Sequence, residues 1–261
     1  MLLQGRDNRQ QALRGWLREQ KAAYLHLTDP VAAQQALAGA MADNTFVLQS
    51  VHGAAPVRLR AAAVQSRAAA AFLAERGGGI SLRLGVQALF EEVVWGDDER
   101  SDDAESAWKS LGEHLGFASS RPEKLYGTGP DNLWALSAGQ QAVTELKTGC
   151  TTATITKKDM DQLGGSVRWL NDHDAEVEAL AVMLHPSRVA DAKATAVPGM
   201  RVVTPASFAK LKEAVASYAA ALAAAPDRWA DEQVVREQLA HHKLTDDRFF
   251  ATYAEPVSPS L

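Results

Sequence analysis

The sequence feature that most constrains the fold is a predicted β-hairpin at residues 129–147, which carries charged side chains at its open end. Asp131 opens the first strand, a polar turn reverses the chain, and the second strand ends in Glu145, Leu146 and Lys147. Because side chains alternate between the two faces of a strand, Glu145 and Lys147 project to one side and Leu146 to the other. Two carboxylates and an ammonium would then meet at one end of a sheet. Such paired acids suit a divalent cation and phosphodiester hydrolysis.

These residues resemble the signature of a known family. Pro130-Asp131 followed by Glu145-x-Lys147 resembles the PD-(D/E)xK motif of the restriction-endonuclease-like nucleases. The flanking segments 115–123 and 155–163 are similar to the nuclease-like tail at the C-terminus of some large bacterial DEAD/DEAH-box helicases. The resemblance extends over residues 100–245 and leaves the first hundred residues unexplained.

The resemblance implies a metal site and a reaction. Asp131 and Glu145 would hold one or two Mg²⁺ ions, assisted by the backbone carbonyl of Leu146, and Mn²⁺ could substitute for Mg²⁺. A water kept by the metal would act as the nucleophile. Lys147 would orient that water or stabilise the charge that develops on the phosphate.

Two more polar residues are candidates for this site by resemblance. Glu105 begins a predicted helix, and in the family a glutamate on the first helix often faces the metal. The alternative is that an acid in a first helical turn only complements the helix dipole. Gln162 lies on the helix after the hairpin, where the family often has a polar residue near the active centre. Its alternative is a solvent-facing amide.

Four basic residues around the motif are candidate nucleic-acid contacts: Arg121, Lys124, Lys157 and Lys158. Lys157 and Lys158 stand at the start of a predicted helix, where the helix dipole disfavours cations. Phosphate oxygens bound there would offset that unfavourable placement. His185 could be a general base, but no partner is visible in the sequence. We therefore interpret it as a structural histidine.

The patterns around the motif predict an α/β fold. From residue 105 onward the expected order is helix, hairpin, helix, strand, strand, helix, which is the α-β-β-α-β core of the resembled restriction-endonuclease-like fold with flanking helices. We predict a helical N-terminal region at 1–97, an acidic linker at 98–104, the nuclease-like domain at 105–250 and a flexible tail at 251–261.

Local patterns predict the individual elements. Periodicity and capping signals predict helices at 8–24, 30–41, 57–75, 80–95, 157–173, 205–224 and 234–242. Strands are predicted at 177–184 and 200–204, while 44–51 is either a short strand or a buried connector. The N-terminal helices carry no visible chemistry and are interpreted as a docking bundle.

Charge and composition limit the functional classes. The net charge of −5 lacks the basic footprint of a protein that grips DNA unaided, so a nuclease here needs a local basic groove, bridging metal ions or a partner that delivers the strand. The single cysteine, Cys150, excludes an internal disulfide and fits a reducing cytoplasm. No apolar run is long enough to span a bilayer, so we predict no membrane association.

These observations predict a Mg²⁺-dependent endonuclease acting on DNA, working with a DEAD/DEAH-box helicase or another subunit of a repair or phage-defence system. Related nucleases often pair to cut both strands, which leaves a homodimer open. One alternative is a catalytically silent nuclease-fold module for DNA binding or protein docking, and another is a plain protein-interaction module. The sequence offers no zinc spacing and no glycine-rich phosphate loop, so neither a zinc site nor unaided ATP binding is expected.

Overall fold

The computed structural model describes residues 2–48, 56–137, 139–225 and 227–259, without the side chains of residues 2–8, 30 and 31. Within these residues the chain is an α/β protein with one six-stranded mixed sheet and flanking helices, which confirms the predicted fold class. The helices are α1 (Leu2–Leu25), α2 (Pro30–Asp43), α3 (Gln65–Ala74), α4 (Ile80–Glu91), α5 (Ser101–His114), α6 (Pro122–Tyr126), α7 (Lys157–His173), α8 (Pro205–Ala223), α9 (Glu232–His241) and α10 (Phe249–Tyr253). The strands are β1 (Ala118–Ser120), β2 (Asn132–Ser137), β3 (Gln140–Leu146), β4 (Glu178–Leu184), β5 (Arg201–Val203) and β6 (Glu255–Pro256). In this part of the chain no helix combines the length and apolar character that crossing a bilayer requires.

The chain divides into two compact units. The smaller unit comprises Met1–Val57 and Pro122–Gly129, and the larger unit comprises Arg58–Arg121 and Pro130–Leu261. This division differs from the predicted one, because α3 and α4 belong to the larger unit, where they contribute to its core. Of the expected linker at 98–104, residues 98–100 form a 3₁₀ turn and residues 101–104 are the first residues of α5.

In the smaller unit α1 packs against α2. Gly15 of α1 lies against Asn44, and the Asn44 side-chain amide donates a hydrogen bond to the Ala12 carbonyl at 3.1 Å. Leu13 and Trp16 are exposed, so part of the apolar surface of α1 has no cover within the described chain.

The sheet of the larger unit has its strands in sequence order, β1 to β6. Strand β2 is antiparallel to both of its neighbours, β1 and β3. Strands β3, β4 and β5 are parallel, and β6 is antiparallel to β5. The carboxyl ends of the three parallel strands therefore meet at one edge of the sheet. In open α/β sheets this edge is where polar side chains can converge on a ligand.

Side-chain alternation divides the core between the two faces of the sheet. Leu133 and Val143 oppose each other on the face covered by α7. Trp134 and Ala142 oppose each other on the face covered by α5 and α8. Trp134 stacks on Trp108 of α5 with ring centroids 4.6 Å apart, which fixes α5 across the hairpin.

The predicted helix at 57–75 is wrong in its first part, since α3 begins only at Gln65. The preceding segment makes tertiary contacts instead. The Leu59 carbonyl accepts a hydrogen bond from the Gln141 side chain at 2.9 Å, and Arg58 lies 3.7 Å from the buried Asp174 carboxylate. These contacts override the high helix propensity of an alanine-rich segment.

Three further expectations need correction. The predicted helix at 80–95 ends at Glu91. Residues 44–48 contain no strand, and the rest of the predicted 44–51 strand lies outside the described residues. The expected flexible tail at 251–261 contains the end of α10 and the strand β6, because Glu255 pairs with Val202 at the sheet edge.

Candidate active site

The predicted hairpin is present as β2 and β3. Asn132 pairs with Thr144, so Asp131, immediately before β2, lies beside Glu145 on the face of the sheet that α7 covers. Lys147 directly follows β3, and its backbone N–H donates to the Leu184 carbonyl of β4 at 2.8 Å. The charged residues are thus held at the carboxyl end of two parallel strands.

The structure brings Asp131, Glu145 and Lys147 together. Nζ of Lys147 lies 3.2 Å from Oε2 of Glu145 and 3.8 Å from Oδ2 of Asp131. Oδ2 of Asp131 also accepts a hydrogen bond from the backbone N–H of Leu146 at 2.7 Å. One ammonium therefore bridges two carboxylates that are separated by a hairpin in the sequence.

Sequence reasoning missed one member of this cluster, Ser166 of α7. Its hydroxyl donates a hydrogen bond to Oε1 of Glu145 at 2.6 Å, and both side chains are buried. A signal was present in the sequence, because Ser166 follows Leu163 by three residues and precedes Leu170 by four. That spacing puts a hydroxyl on the buried stripe of the helix.

Burial strongly perturbs the pKa of Glu145. Glu145 is 0% exposed, and burial followed by repulsion from Asp131 raises its pKa to about 7, even though Lys147 and Ser166 act in the opposite direction. Burial by itself lowers the pKa of Lys147, but the Asp131 and Glu145 carboxylates more than offset this, so the net shift is upward. Lys147 is therefore a cation at neutral pH, and its side chain remains 17% exposed.

Glu105 lies near this cluster but is held by an arginine. Its carboxylate forms an ion pair with Arg121, and its backbone carbonyl accepts a hydrogen bond from the Asn132 side chain at 3.0 Å. Burial and the Asp131 carboxylate raise the pKa of Glu105, so the Glu105 carboxyl lies within electrostatic reach of Asp131. Glu105 is thus tied beside the hairpin through residues at both ends of the 121–132 segment.

Arg121 is not available as a nucleic-acid contact. Its side chain is buried between Glu105 and Asp102, which it pairs at 2.8 Å. The sequence made it a candidate nucleic-acid contact, but Asp102 and Glu105, three residues apart in the first turns of α5, pair with its guanidinium. The buried guanidinium of Arg121 neutralises the Asp102 and Glu105 carboxylates and does not extend to a phosphate.

The other candidates are exposed side chains. Gln162 is exposed on α7, one turn before Ser166, and has no described contact with the three charged residues. Lys157 and Lys158 are exposed at the start of α7, and Lys157 pairs with Asp161 at 2.6 Å. Lys124 is exposed on α6 of the smaller unit. Their roles in binding nucleic acid stay predictions.

His185 directly follows β4 and is completely buried. Its Nδ1 lies 2.9 Å from the backbone nitrogen of Ser187, and burial lowers its pKa. A neutral, enclosed imidazole that orders its own loop agrees with the structural interpretation.

The oxygen atoms of Asp131 and Glu145 are of the kind that a hard divalent cation binds. Among the described residues no group of three or more His, Cys, Asp or Glu side chains is placed to hold a metal. Mg²⁺ does not need such a group, because it is usually bound through one or two carboxylates and keeps several waters. Of the two Asp131 oxygens, Oδ2 accepts the bond from Leu146, while Oδ1 receives no hydrogen bond from the described residues. Two adjacent carboxylates with a free oxygen fit Mg²⁺ or Mn²⁺.

Comparisons of the chain with protein-family models, with curated proteins and with solved structures found no match.

Proposed function

We propose that this chain is a Mg²⁺-dependent nuclease of the PD-(D/E)xK type that hydrolyses phosphodiester bonds in DNA. The observation that carries the proposal is the convergence of Asp131, Glu145 and Lys147, with one ammonium 3.2 and 3.8 Å from the two carboxylates. The residues of the motif thus share one place in space as well as a spacing in the sequence.

The charge balance supports the binding of a cation at this place. Two acids share a buried site, and their repulsion contributes to the raised pKa of Glu145. Lys147 offsets part of that repulsion without removing it. The free Oδ1 of Asp131, Glu145 and the Leu146 carbonyl are the proposed ligands. When bound, the ion would activate a water and neutralise charge on the phosphate.

Lys147 has a second role in this proposal. It is charged, it is fixed by two carboxylates, and part of its side chain remains accessible. An ammonium in that position can hold the attacking water or stabilise the negative charge on the phosphate while the bond from phosphorus to the leaving oxygen breaks. The carboxylates that hold Lys147 thereby pre-organise it.

We further propose that a partner, such as a DEAD/DEAH-box helicase or another defence or repair subunit, delivers the DNA. The net charge of −5 gives the chain little general affinity for a polyanion. The exposed apolar residues of α1, such as Trp16, supply a surface on which a partner could dock.

The test is cleavage of plasmid and single-stranded DNA in Mg²⁺, Mn²⁺ or EDTA. We expect the wild type to cut in either metal and not in EDTA, and Asp131→Asn, Glu145→Gln and Lys147→Ala to abolish cutting. Glu178→Gln, an exposed acid at the opposite end of the parallel strands, is the matched control and should cut normally.

Two results would contradict the assignment. Cleavage that survives all three substitutions would place the chemistry elsewhere. Absence of cleavage under every condition, with DNA or partner binding intact, would favour the catalytically silent module.

A further inference from the structure

We infer that Ser166 is a positioning residue for Glu145, whose hydroxyl sets the orientation of the carboxylate that the proposed function assigns to the cation. The inference rests on that proposed function. It adds a residue that lies outside the PD-(D/E)xK motif and belongs to a different element of the fold.

The contact is short, buried and long-range. The hydroxyl of Ser166 donates to Oε1 of Glu145 at 2.6 Å across 21 residues of sequence. A serine inside a helix often bonds the carbonyl four residues earlier. Here the hydroxyl is directed across to β3.

The carboxylate needs an external constraint. The last torsion of a glutamate side chain joins an sp³ to an sp² carbon, so its energy profile is broad and the chain itself does not select one orientation. In this site Ser166 donates to Oε1 and Lys147 donates to Oε2. Donors from two directions fix the plane of the Glu145 carboxylate.

The element that presents Ser166 is firmly placed. Helix α7 begins with a capping box in which Thr156 and Asp159 satisfy each other's backbone N–H groups. Leu163 and Leu170, on either side of Ser166, are buried in the core beneath the sheet. The Ser166 hydroxyl is therefore held at a fixed position facing β3.

A neutral donor suits this position. A second lysine or an arginine would also orient Glu145, but its charge would compete directly with a cation for the carboxylate. The serine hydroxyl orients Oε1 without adding positive charge, and it leaves that oxygen a further lone pair. Loss of the hydroxyl would leave Lys147 as the one described donor to Glu145.

The experiment measures Mn²⁺ binding to the full chain without DNA, by electron paramagnetic resonance and by calorimetry. Ser166→Ala should weaken Mn²⁺ binding by about 10–100-fold, the usual effect of removing a partner that orients a metal ligand. Ser166→Thr keeps the hydroxyl and should restore binding towards the wild-type value. Ser66→Ala removes a buried serine of α3 and is the matched control, for which no change is expected.

The outcomes separate the two proposals. Wild-type binding together with an unchanged Ser166→Ala affinity would overturn the role of Ser166 and leave the nuclease proposal standing. No Mn²⁺ binding and no cleavage by the wild type would overturn both. Circular dichroism and the unfolding midpoint verify that each variant is folded. In a folded Ser166→Ala protein, cleavage that recovers as the Mg²⁺ concentration rises would support the inference, because a general structural defect would not be corrected by metal.

Discussion

The buried carboxylate of Glu145 predicts an unusual dependence of stability on pH. An acid whose pKa is higher in the folded state than in the unfolded state binds its proton more tightly when the protein is folded. Its contribution to stability is then complete below the unfolded pKa and is lost as the pH rises through the folded pKa. Replacing Glu145 by Gln removes the titration and keeps a side chain of nearly the same shape.

The magnitude follows from the two pKa values. The ordinary value is 4.5, and burial with repulsion from Asp131 raises the pKa in the folded protein to about 7. One pH unit between the two corresponds to about 1.4 kcal/mol, so ionisation of Glu145 costs the folded state about 3 kcal/mol. Without metal, the wild type should lose about 3 kcal/mol of unfolding free energy relative to Glu145→Gln between pH 4.5 and pH 8.

The assay is urea unfolding in EDTA at half-unit pH intervals, followed by circular dichroism. The quantity of interest is how the difference in unfolding free energy between wild type and variant changes with pH. Any effect of the amide that does not depend on pH shifts this difference by a constant and leaves its change with pH unaltered. Glu178→Gln is the control and should show a nearly flat difference, since that side chain is exposed. A flat difference for Glu145→Gln as well would refute the argument that burial and Asp131 raise its pKa.

The metal site, two helix glycines and the cap of α7 each lead to a further prediction. Mg²⁺ at a hundred times its Kd should stabilise the wild type by about 2.7 kcal/mol, measured as a rise in Tm. Asp131→Asn should abolish that rise. An equal rise in the variant would contradict the proposed metal site. Gly112→Ala should lower the free energy of unfolding by about 1–3 kcal/mol, because its new Cβ would lie 2.7 Å from the Trp134 ring. Gly165→Ala should raise it by about 0.5–1 kcal/mol, because no atom would lie nearer than 3.8 Å to the new Cβ. Urea unfolding measures both changes. If Gly165→Ala were the less stable of the two variants, the packing described around these glycines would be wrong. Thr156→Ala should cost about 1 kcal/mol in the same assay by removing the cap of α7, and no loss would mean that the capping box is dispensable.

The elements best predicted from sequence are those with strong local signals. Helix α7 has the predicted bounds, because Thr156 and Asp159 cap its start and a clear apolar stripe follows. Helix α8 also begins where predicted, at Pro205 after the Thr204 cap. By contrast, the non-helical segment before Gln65 has strong helix-forming composition, and only its contacts with distant residues decide its conformation.

The candidate site follows the same division. Strand alternation was sufficient to predict that Glu145 and Lys147 project to one side, and the motif spacing placed Asp131 beside them. The inward turn of Arg121 could not be predicted in this way, since it depends on how α5 packs beside the hairpin. Ser166 is similar, because a serine on a buried stripe gives no indication of its partner.

The sequence by itself determined the α/β class, the charged hairpin and the N-terminal caps of α2 and α7. These features depend on backbone periodicities and on groups within a few residues of one another. The tertiary structure alone decided which donors meet each acid: Ser166 and Lys147 at Glu145, the Leu146 N–H at Asp131 and Arg121 at Glu105. Hydrogen bonds and ion pairs of this kind require atoms from separate elements to lie within about 3 Å. Such distances follow from strand register and helix packing, which local sequence patterns do not encode.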